Sequence, residues 1–222
     1  GAYKVTGKWP INNSGLKYDR DWMIIKENGI CLTQKSLSYL CMIKPIINVE
    51  KNLLFLTHTQ NSTICKVPLN YDKESVNLKC STKVCGDRID GIDCGDQVAT
   101  WLCNVLSIPG LRLIYLYGER YSKSKNNLIS KSISFANQAQ FLLINKESVK
   151  WLYSHVDDWE DAESNIDNTL SPAYKLKNLL DRFRGNLIIQ TPNSLDELKW
   201  KKSIEINGIK LAITGQCTRC QM

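Results

Sequence analysis

The sequence predicts a β-rich α+β protein, and three observations carry that reading. The stretch up to about residue 80 breaks into short apolar runs separated by turn residues, the pattern of a small barrel or a strongly curved sheet. Helical periodicity is confined to a few separated places, above all 98–106 and 176–183. The hydrophobic fraction, 43% of 222 residues, supports a real core, while no apolar run reaches the roughly 18 residues that a membrane span needs.

Taken in order, Trp22 to Ile25 reads as a strand, Glu27-Asn28-Gly29-Ile30 as a hairpin turn, and Ile30 to Thr33 as the returning strand. Leu40 to Ile47 is apolar and interrupted by Pro45, which places it at a sheet edge or a bulge because proline has no N–H to donate. Asn52 to Thr57 and Ser62 to Val67 are further strands. Val98, Trp101, Leu102, Val105 and Leu106 form one helical stripe, with Asp93 or Asp96 available as its cap and Pro109-Gly110 to end it. Leu111 to Tyr117 returns as a strand, and the lysine-rich 119–132 reads as a loop. Phe141 to Ile144 reads as a buried strand, Ser148 to Ser154 as a short helix, and the acidic 157–168 as a loop. Ser171-Pro172 starts a helix, serine as the cap and proline at the first helical position. Leu176, Leu179, Leu180 and Phe183 give that helix its apolar face, and Gly185 is placed to end it. Leu187 to Gln190 follows as a strand, Ser194 to Glu197 as a capping box, and Asn207-Gly208 as the turn between Ile204–Ile206 and Ile209–Thr214.

Nine scattered cysteines in a chain of this size favour a reducing, cytoplasmic setting. The polar start, Gly1-Ala2-Tyr3-Lys4, does not read as a signal peptide, and the lack of an initiator methionine points to a fragment or a processed chain. The net charge of +7 is spread along the sequence, which suits an anionic ligand as well as an ordinary solvated surface. No arginine-rich tract or aromatic–basic alternation of the nucleic-acid-binding kind is present.

Three clusters carry chemistry. The chain closes on Cys217-Thr218-Arg219-Cys220-Gln221-Met222. A cation beside a thiol favours the thiolate, the form that attacks sulfur and binds soft metals. A zinc site would need further ligands, and the only histidines, His58 and His155, lack ligand spacing. A thioredoxin-type motif would need a helix after it. Two semi-buried thiols at a strand end are the ordinary alternative. The second cluster, Asp181-Arg182-Phe183-Arg184-Gly185-Asn186, lies where a helix gives way to a strand. With Phe183 on the core face, Arg182 and Arg184 splay elsewhere, either to grip an anion through a planar fork of donors or to complement the helix dipole. In the third, Tyr18-Asp19-Arg20-Asp21-Trp22, Arg20 either reaches an anion or pairs with a neighbouring aspartate.

In sequence order these segments, with Gly15 to Met23, Cys31 to Lys35, Val84 to Asp87, Asp93 to Leu102 and Phe141 to Asn145, resemble the C-terminal region of the molybdenum cofactor sulfurase family. That region consists of a MOSC N-terminal β-barrel followed by a MOSC domain. The resemblance implies a MOSC-type β-barrel with an N-terminal β-barrel-like region at 1–117 and a MOSC domain at 118–222, truncated at its C-terminal end. It also implies binding of the molybdenum cofactor, molybdopterin, whose dithiolene holds molybdenum and whose tail carries a phosphate. Cys220 would be the catalytic thiol facing the metal. Arg20, Arg184, Asn186, Thr218 and Arg219 would contact the cofactor, as would Gln138 and Ala139, which differ in type from the relatives' residues. The implied activity is sulfuration, the replacement of an oxygen ligand of molybdenum by sulfide, with xanthine dehydrogenase and aldehyde oxidase as recipients and no nucleic acid or membrane partner. The persulfide donor would be a cysteine desulfurase domain carrying pyridoxal phosphate, and no lysine of this chain takes a Schiff-base role. The family's amidoxime-reducing relatives, in which a cysteine ligates molybdenum permanently, and a non-catalytic cofactor-binding module are the alternatives.

Overall fold

The structure is a computed structural model that describes residues 4–5, 7–71, 79–84, 87–116, 120–121, 132–133, 139–156 and 171–217. The chain divides into two compact units, 2–140 and 141–221. The domain boundary expected at 117/118 falls outside the described residues.

The N-terminal unit holds β1 (Ile11–Asn12), β2 (Gly15–Leu16), β3 (Trp22–Ile25), β4 (Ile43–Asn48), β5 (Leu53–His58), β6 (Asn61–Pro68), β7 (Lys79–Val84) and β8 (Asp87–Asp93). α1 (Asp96–Leu106), β9 (Arg112–Leu116), β10 (Arg120–Tyr121) and β11 (Ser132–Ile133) complete it. Two sheets dominate its described part: the four-stranded β3-β9-β8-β7 and the three-stranded β4-β5-β6. All their pairings are antiparallel, and those of β4-β5, β5-β6 and β7-β8 are hairpins with short connections. The turn at Glu27–Gly29 is formed, but the strand expected to return at Ile30–Thr33 shrinks to a single bridge, Ile25 to Cys31. Pro45 lies in β4, an edge strand, where its missing donor does least harm. The β7–β8 hairpin was not anticipated by the sequence pattern.

Alternation builds the core of this unit. Leu54 and Leu56 of β5 point inward with Cys65 and Val67 of β6, and they pack with Val98 and Leu102 of α1, Leu111, and Leu113 of β9. Burial raises the Cys65 thiol pKa. Met23, Ile25 and Ile114 form a second, smaller cluster. β9 therefore buries successive residues, Leu113 and Ile114, because both of its faces are covered. α1 is not capped by an aspartate side chain as expected. Gly95 is its N-cap at φ 99°, Asp93 accepts from the Gly95 N–H, and both Asp93 and Asp96 hold Arg112 (2.6 and 2.7 Å). Those two hydrogen bonds push the Arg112 pKa up.

The second unit contains β12 (Leu143–Asn145), α2 (Lys146–Tyr153), α3 (Pro172–Phe183), β13 (Leu187–Ile189), β14 (Ser203–Ile206) and β15 (Ile209–Ala212). β12 and β13 run parallel, an arrangement that requires a long connection, and α2 and α3 lie in the sequence between them. Val149 of α2 packs with Leu179 and Leu180 of α3, and Ile144, Leu176 and Phe183 lean on them. Asn207 (φ 48°) and Gly208 (φ 79°) form the turn of the β14–β15 hairpin, as the Asn-Gly pair requires. The capping box expected at Ser194–Glu197 is not formed: Leu195 is the N-cap of a short 3-10 turn at Asp196–Lys199, with no side-chain cap.

No helix among the described residues is long and apolar enough to cross a membrane.

Candidate functional site

Arg20 lies in the N-terminal unit, in the tight turn that leads into β3. Tyr18 (φ 68°) and Arg20 (φ 58°) are both left-handed. The turn begins where Asp19 N–H donates to the Leu16 carbonyl (2.9 Å), and it is fixed beyond Arg20 where Leu116 N–H donates to the Asp21 carbonyl (2.8 Å). Tyr18 is buried and its ring stacks toward Trp22 at 6.0 Å, which anchors the turn from below. Arg20 Nη1 pairs with Asp19 Oδ2 at 3.1 Å, and both side chains remain about one-third exposed (33% and 31%). The ordinary pairing considered for Arg20 is thus present, and it leaves the guanidinium at the surface. Burial, then the neighbouring Asp19 charge, raises the Asp21 pKa to about 6.

Ala139 also belongs to this unit, on a segment held against the β1–β2 hairpin that leads into the Arg20 turn. The contacts are made by its neighbour. Gln140 Nε2 donates to the Asn13 carbonyl, and a side chain at Gly15 would meet the Gln140 carbonyl at 3.0 Å. Gln138 lies outside the described residues.

Arg184 and Asn186 form one corner of the second unit, between α3 and β13. α3 starts as expected, with Ser171 Oγ accepting from Tyr174 N–H and Pro172 at the first helical position. Its end differs from expectation. The left-handed C-cap is Arg184 (φ 54°), not Gly185. Gly185 serves a different need: a Cβ there would lie 2.4 Å from Ile144 Cγ1 and 3.3 Å from the Leu142 carbonyl. Only a residue without a side chain lets the chain pass this close to β12.

Asn186 then fastens the corner. Its N–H donates to the Leu142 carbonyl (3.0 Å), and its Oδ1 accepts from the Leu142 N–H (2.6 Å). Leu187 N–H shares the same carbonyl (3.1 Å). Phe183 is half-buried while Arg182 and Arg184 are exposed, so the two guanidiniums do splay off the core face. A helix C-terminus carries a partial negative charge of roughly half an electron. An anion at this corner therefore needs a cation to offset that field, and Arg184 sits at the cap itself.

Cys217 is exposed and follows β15. Thr218, Arg219 and Cys220 lie outside the described residues.

Residues 4–109 match the MOSC N-terminal beta barrel domain, and residues 130–222 match the MOSC domain. The chain belongs to the MOSC family. Among relatives, "Molybdenum cofactor sulfurase 1" of Aedes aegypti is 43% identical over 223 residues, covering 100% of this chain and 28% of its own length. "Molybdenum cofactor sulfurase 2" of Culex quinquefasciatus is 44% identical over 227 residues, covering 100% of this chain and 28% of its own length. "Molybdenum cofactor sulfurase" of Drosophila melanogaster is 42% identical over 224 residues, covering 100% of this chain and 25% of its own length. The MOSC chain thus spans about a quarter of the length of the curated relatives it matches.

Within the MOSC domain, the sequence motif ending at Asn145 has a structural purpose that spacing alone did not reveal. Asn145 is 2% exposed, the one buried polar residue among those described. Its Nδ2, with two hydrogens to give, lies within hydrogen-bond distance of Thr191 Oγ1 (2.7 Å), Glu197 Oε2 (2.7 Å) and Ser148 Oγ (2.9 Å), and its Oδ1 accepts from Glu147 and Thr191 N–H. It ties the end of β12 to α2 and to the segment after β13.

Proposed function

We propose that this MOSC chain binds the molybdenum cofactor as its substrate and forms the sulfur-accepting part of a sulfurtransferase that replaces an oxygen ligand of molybdenum by sulfide. The observation that carries the reading is conformational. Among the described arginines, two have positive φ, Arg20 and Arg184. Both are among the cofactor contacts that the family resemblance implies, and as guanidiniums they suit the pterin's phosphate. A left-handed non-glycine residue costs on the order of 1 kcal/mol, and such strain gathers where function holds it in place. The names of the relatives support the cofactor.

The residues fit the substrate. Planar guanidiniums match a phosphate dianion through paired N–H donors. A thiol is the protein ligand that a soft molybdenum–sulfur centre accepts, and Cys220 follows an arginine that favours its thiolate. In this reading Arg20 and Arg184 each contact the phosphate tail, Gln138, Ala139, Thr218 and Arg219 contact the cofactor, and Asn186 serves through Arg184. The Cys220 thiolate would attack the outer sulfur of a persulfide on a cysteine desulfurase domain, forming the Cys220 persulfide and releasing the donor cysteine as its thiolate. A second thiol would then form a disulfide with Cys220 and free that sulfur as sulfide, which would replace the oxygen ligand as the oxygen leaves with two protons as water. Xanthine dehydrogenase and aldehyde oxidase would take the product, in the cytoplasm.

The test compares wild type, Cys220→Ser and Arg184→Ala for retention of molybdopterin with and without molybdenum, and for transfer of labelled sulfur from a persulfide donor. Arg184→Ala is expected to lose pterin in both forms. Cys220→Ser is expected to lose labelled sulfur while keeping pterin. Reduction of an N-hydroxylated substrate would instead favour the amidoxime-reducing reading. Retention without either activity would favour a binding module.

A further inference from the structure

We infer that Asn186 is a positioning residue: it holds the Arg184 guanidinium in place by clamping the chain to Leu142, and its effect on ligand binding passes through Arg184. The inference rests on the reading that Arg184 grips an anion, and it concerns how the fold aims that grip.

The mechanical problem is specific. Arg184 ends α3 in a left-handed conformation that an arginine adopts reluctantly. Its own N–H donates back to the Asp181 carbonyl (3.1 Å), and glycine is the residue best suited to that state. The following residue cannot help through a side chain, because Gly185 is pressed against Ile144. The first point after Arg184 at which the chain is held by hydrogen bonds is Asn186. There the attachment is double: backbone N–H to the Leu142 carbonyl at 3.0 Å, and side-chain Oδ1 from the Leu142 N–H at 2.6 Å. Paired, oppositely directed bonds of this kind fix both distance and rotation, as a closely spaced pair does in an antiparallel ladder. They occur just ahead of the β12–β13 register, which begins at Leu143 and Leu187. An asparagine side chain therefore supplies the bond that the parallel ladder does not make at its open end. The helix on one side and the Leu142 clamp on the other hold the two residues between them, and Arg184 lies at the helix cap with its side chain exposed.

A residue that touched the ligand for itself would behave differently from one that works through Arg184, and a double-mutant cycle separates the two. The full chain is prepared as wild type, Asn186→Ala, Arg184→Gln and the double variant, and binding of metal-free molybdopterin is followed by pterin fluorescence. Backbone nitrogen relaxation at residues 183–187 is measured without ligand. Asn186→Ala is expected to weaken binding roughly tenfold in the wild-type background and to cause no further loss in the Arg184→Gln background. Its relaxation data are expected to show a newly mobile Arg184 backbone.

Equal losses from Asn186→Ala in both backgrounds would overturn the proposal while leaving the phosphate reading intact. So would an Arg184 backbone as rigid in Asn186→Ala as in wild type. Full binding by Arg184→Gln would sink the phosphate reading itself, and this proposal with it. Should Asn186→Ala fail to fold, Asn186→Asp keeps the oxygen that accepts from Leu142. It is expected to keep residues 183–187 as rigid as in wild type, and added mobility there would count against the clamp.

Discussion

Arg20 and Arg184 share one backbone conformation, φ 58° and 54°, although one closes a surface turn before a strand and the other caps a helix. At both places a small, flexible residue would be the easier choice. Each arginine is secured from its flanks: Tyr18 stacking toward Trp22 and the Leu116-to-Asp21 bond in one case, the Leu142 clamp in the other.

That relationship makes stability and binding oppose each other at Arg184. Glycine is the favoured residue at a left-handed helix cap. Arg184→Gly is expected to stabilise the fold by about 0.5–1 kcal/mol in urea unfolding, the relief of strain less the added freedom of the unfolded chain. Arg184→Ala keeps the strain and is expected to gain nothing. Both should lose pterin to the same extent. A destabilised Arg184→Gly variant would contradict the strain assigned to this residue.

Gly185 should tolerate no side chain. Its added Cβ would sit 2.4 Å from Ile144 Cγ1, deep inside contact distance, in the cluster that joins β12 to α3. Gly185→Ala is expected to cost about 1–3 kcal/mol by overpacking. Chemical denaturation measures the loss. Trimming Ile144 to alanine in the same chain should recover part of it, which a purely conformational effect would not allow.

Asp21 gives the N-terminal unit a pH-dependent stability. Its pKa rises from 3.8 to about 6 because burial and Asp19 both oppose its charge. A carboxyl whose folded pKa is raised stabilises the fold fully below its unfolded value, and that contribution is lost as pH climbs through the folded value. Asp21→Asn is therefore expected to exceed wild type by on the order of 2 kcal/mol near neutral pH. The advantage should shrink between about pH 6 and 4 and vanish below. Urea titrations across that range decide it, and a difference that does not vary with pH would remove the assignment.

Asn145 should be the most sensitive polar position of the second unit. Replacing it with alanine strips partners from Thr191, Ser148 and the Glu197 carboxylate at once. A buried network broken on one side is expected to cost about 2–4 kcal/mol. Asn145→Asp should fare no better, since it sets a second carboxylate against Glu197. Thermal unfolding of both variants is the check.

Much of the architecture was legible before any coordinates. Apolar alternation located β3, β5, β6 and β9, and the stripe from Val98 to Leu106 located α1. Ser171-Pro172 marked the start of α3, and Asn207-Gly208 the turn of the last hairpin. These are local properties: the period of side chains along a strand or helix, a missing N–H, a permitted positive φ. The β7–β8 hairpin escaped because its strands, Lys79–Val84 and Asp87–Asp93, are rich in charged and polar residues and offer no apolar alternation. The same limit applies at the helix ends. Propensity favoured Gly185 as the cap of α3 and Asp93 or Asp96 as the cap of α1. In the structure, contact with Ile144 claims Gly185, and Arg112 claims both carboxylates.

The amino-acid sequence by itself determined the chemistry on offer, guanidiniums at 20 and 184 and thiols at 217 and 220, because side-chain identity is independent of fold. Tertiary structure alone decided that β12 and β13 run parallel, that Gly185 is squeezed against Ile144, and that Asn186 turns back to Leu142. Those outcomes depend on segments more than forty positions apart meeting in space. Local propensity acts over a few residues, so a conformation imposed from that distance, such as the strained φ of Arg184, leaves no trace in the neighbouring sequence.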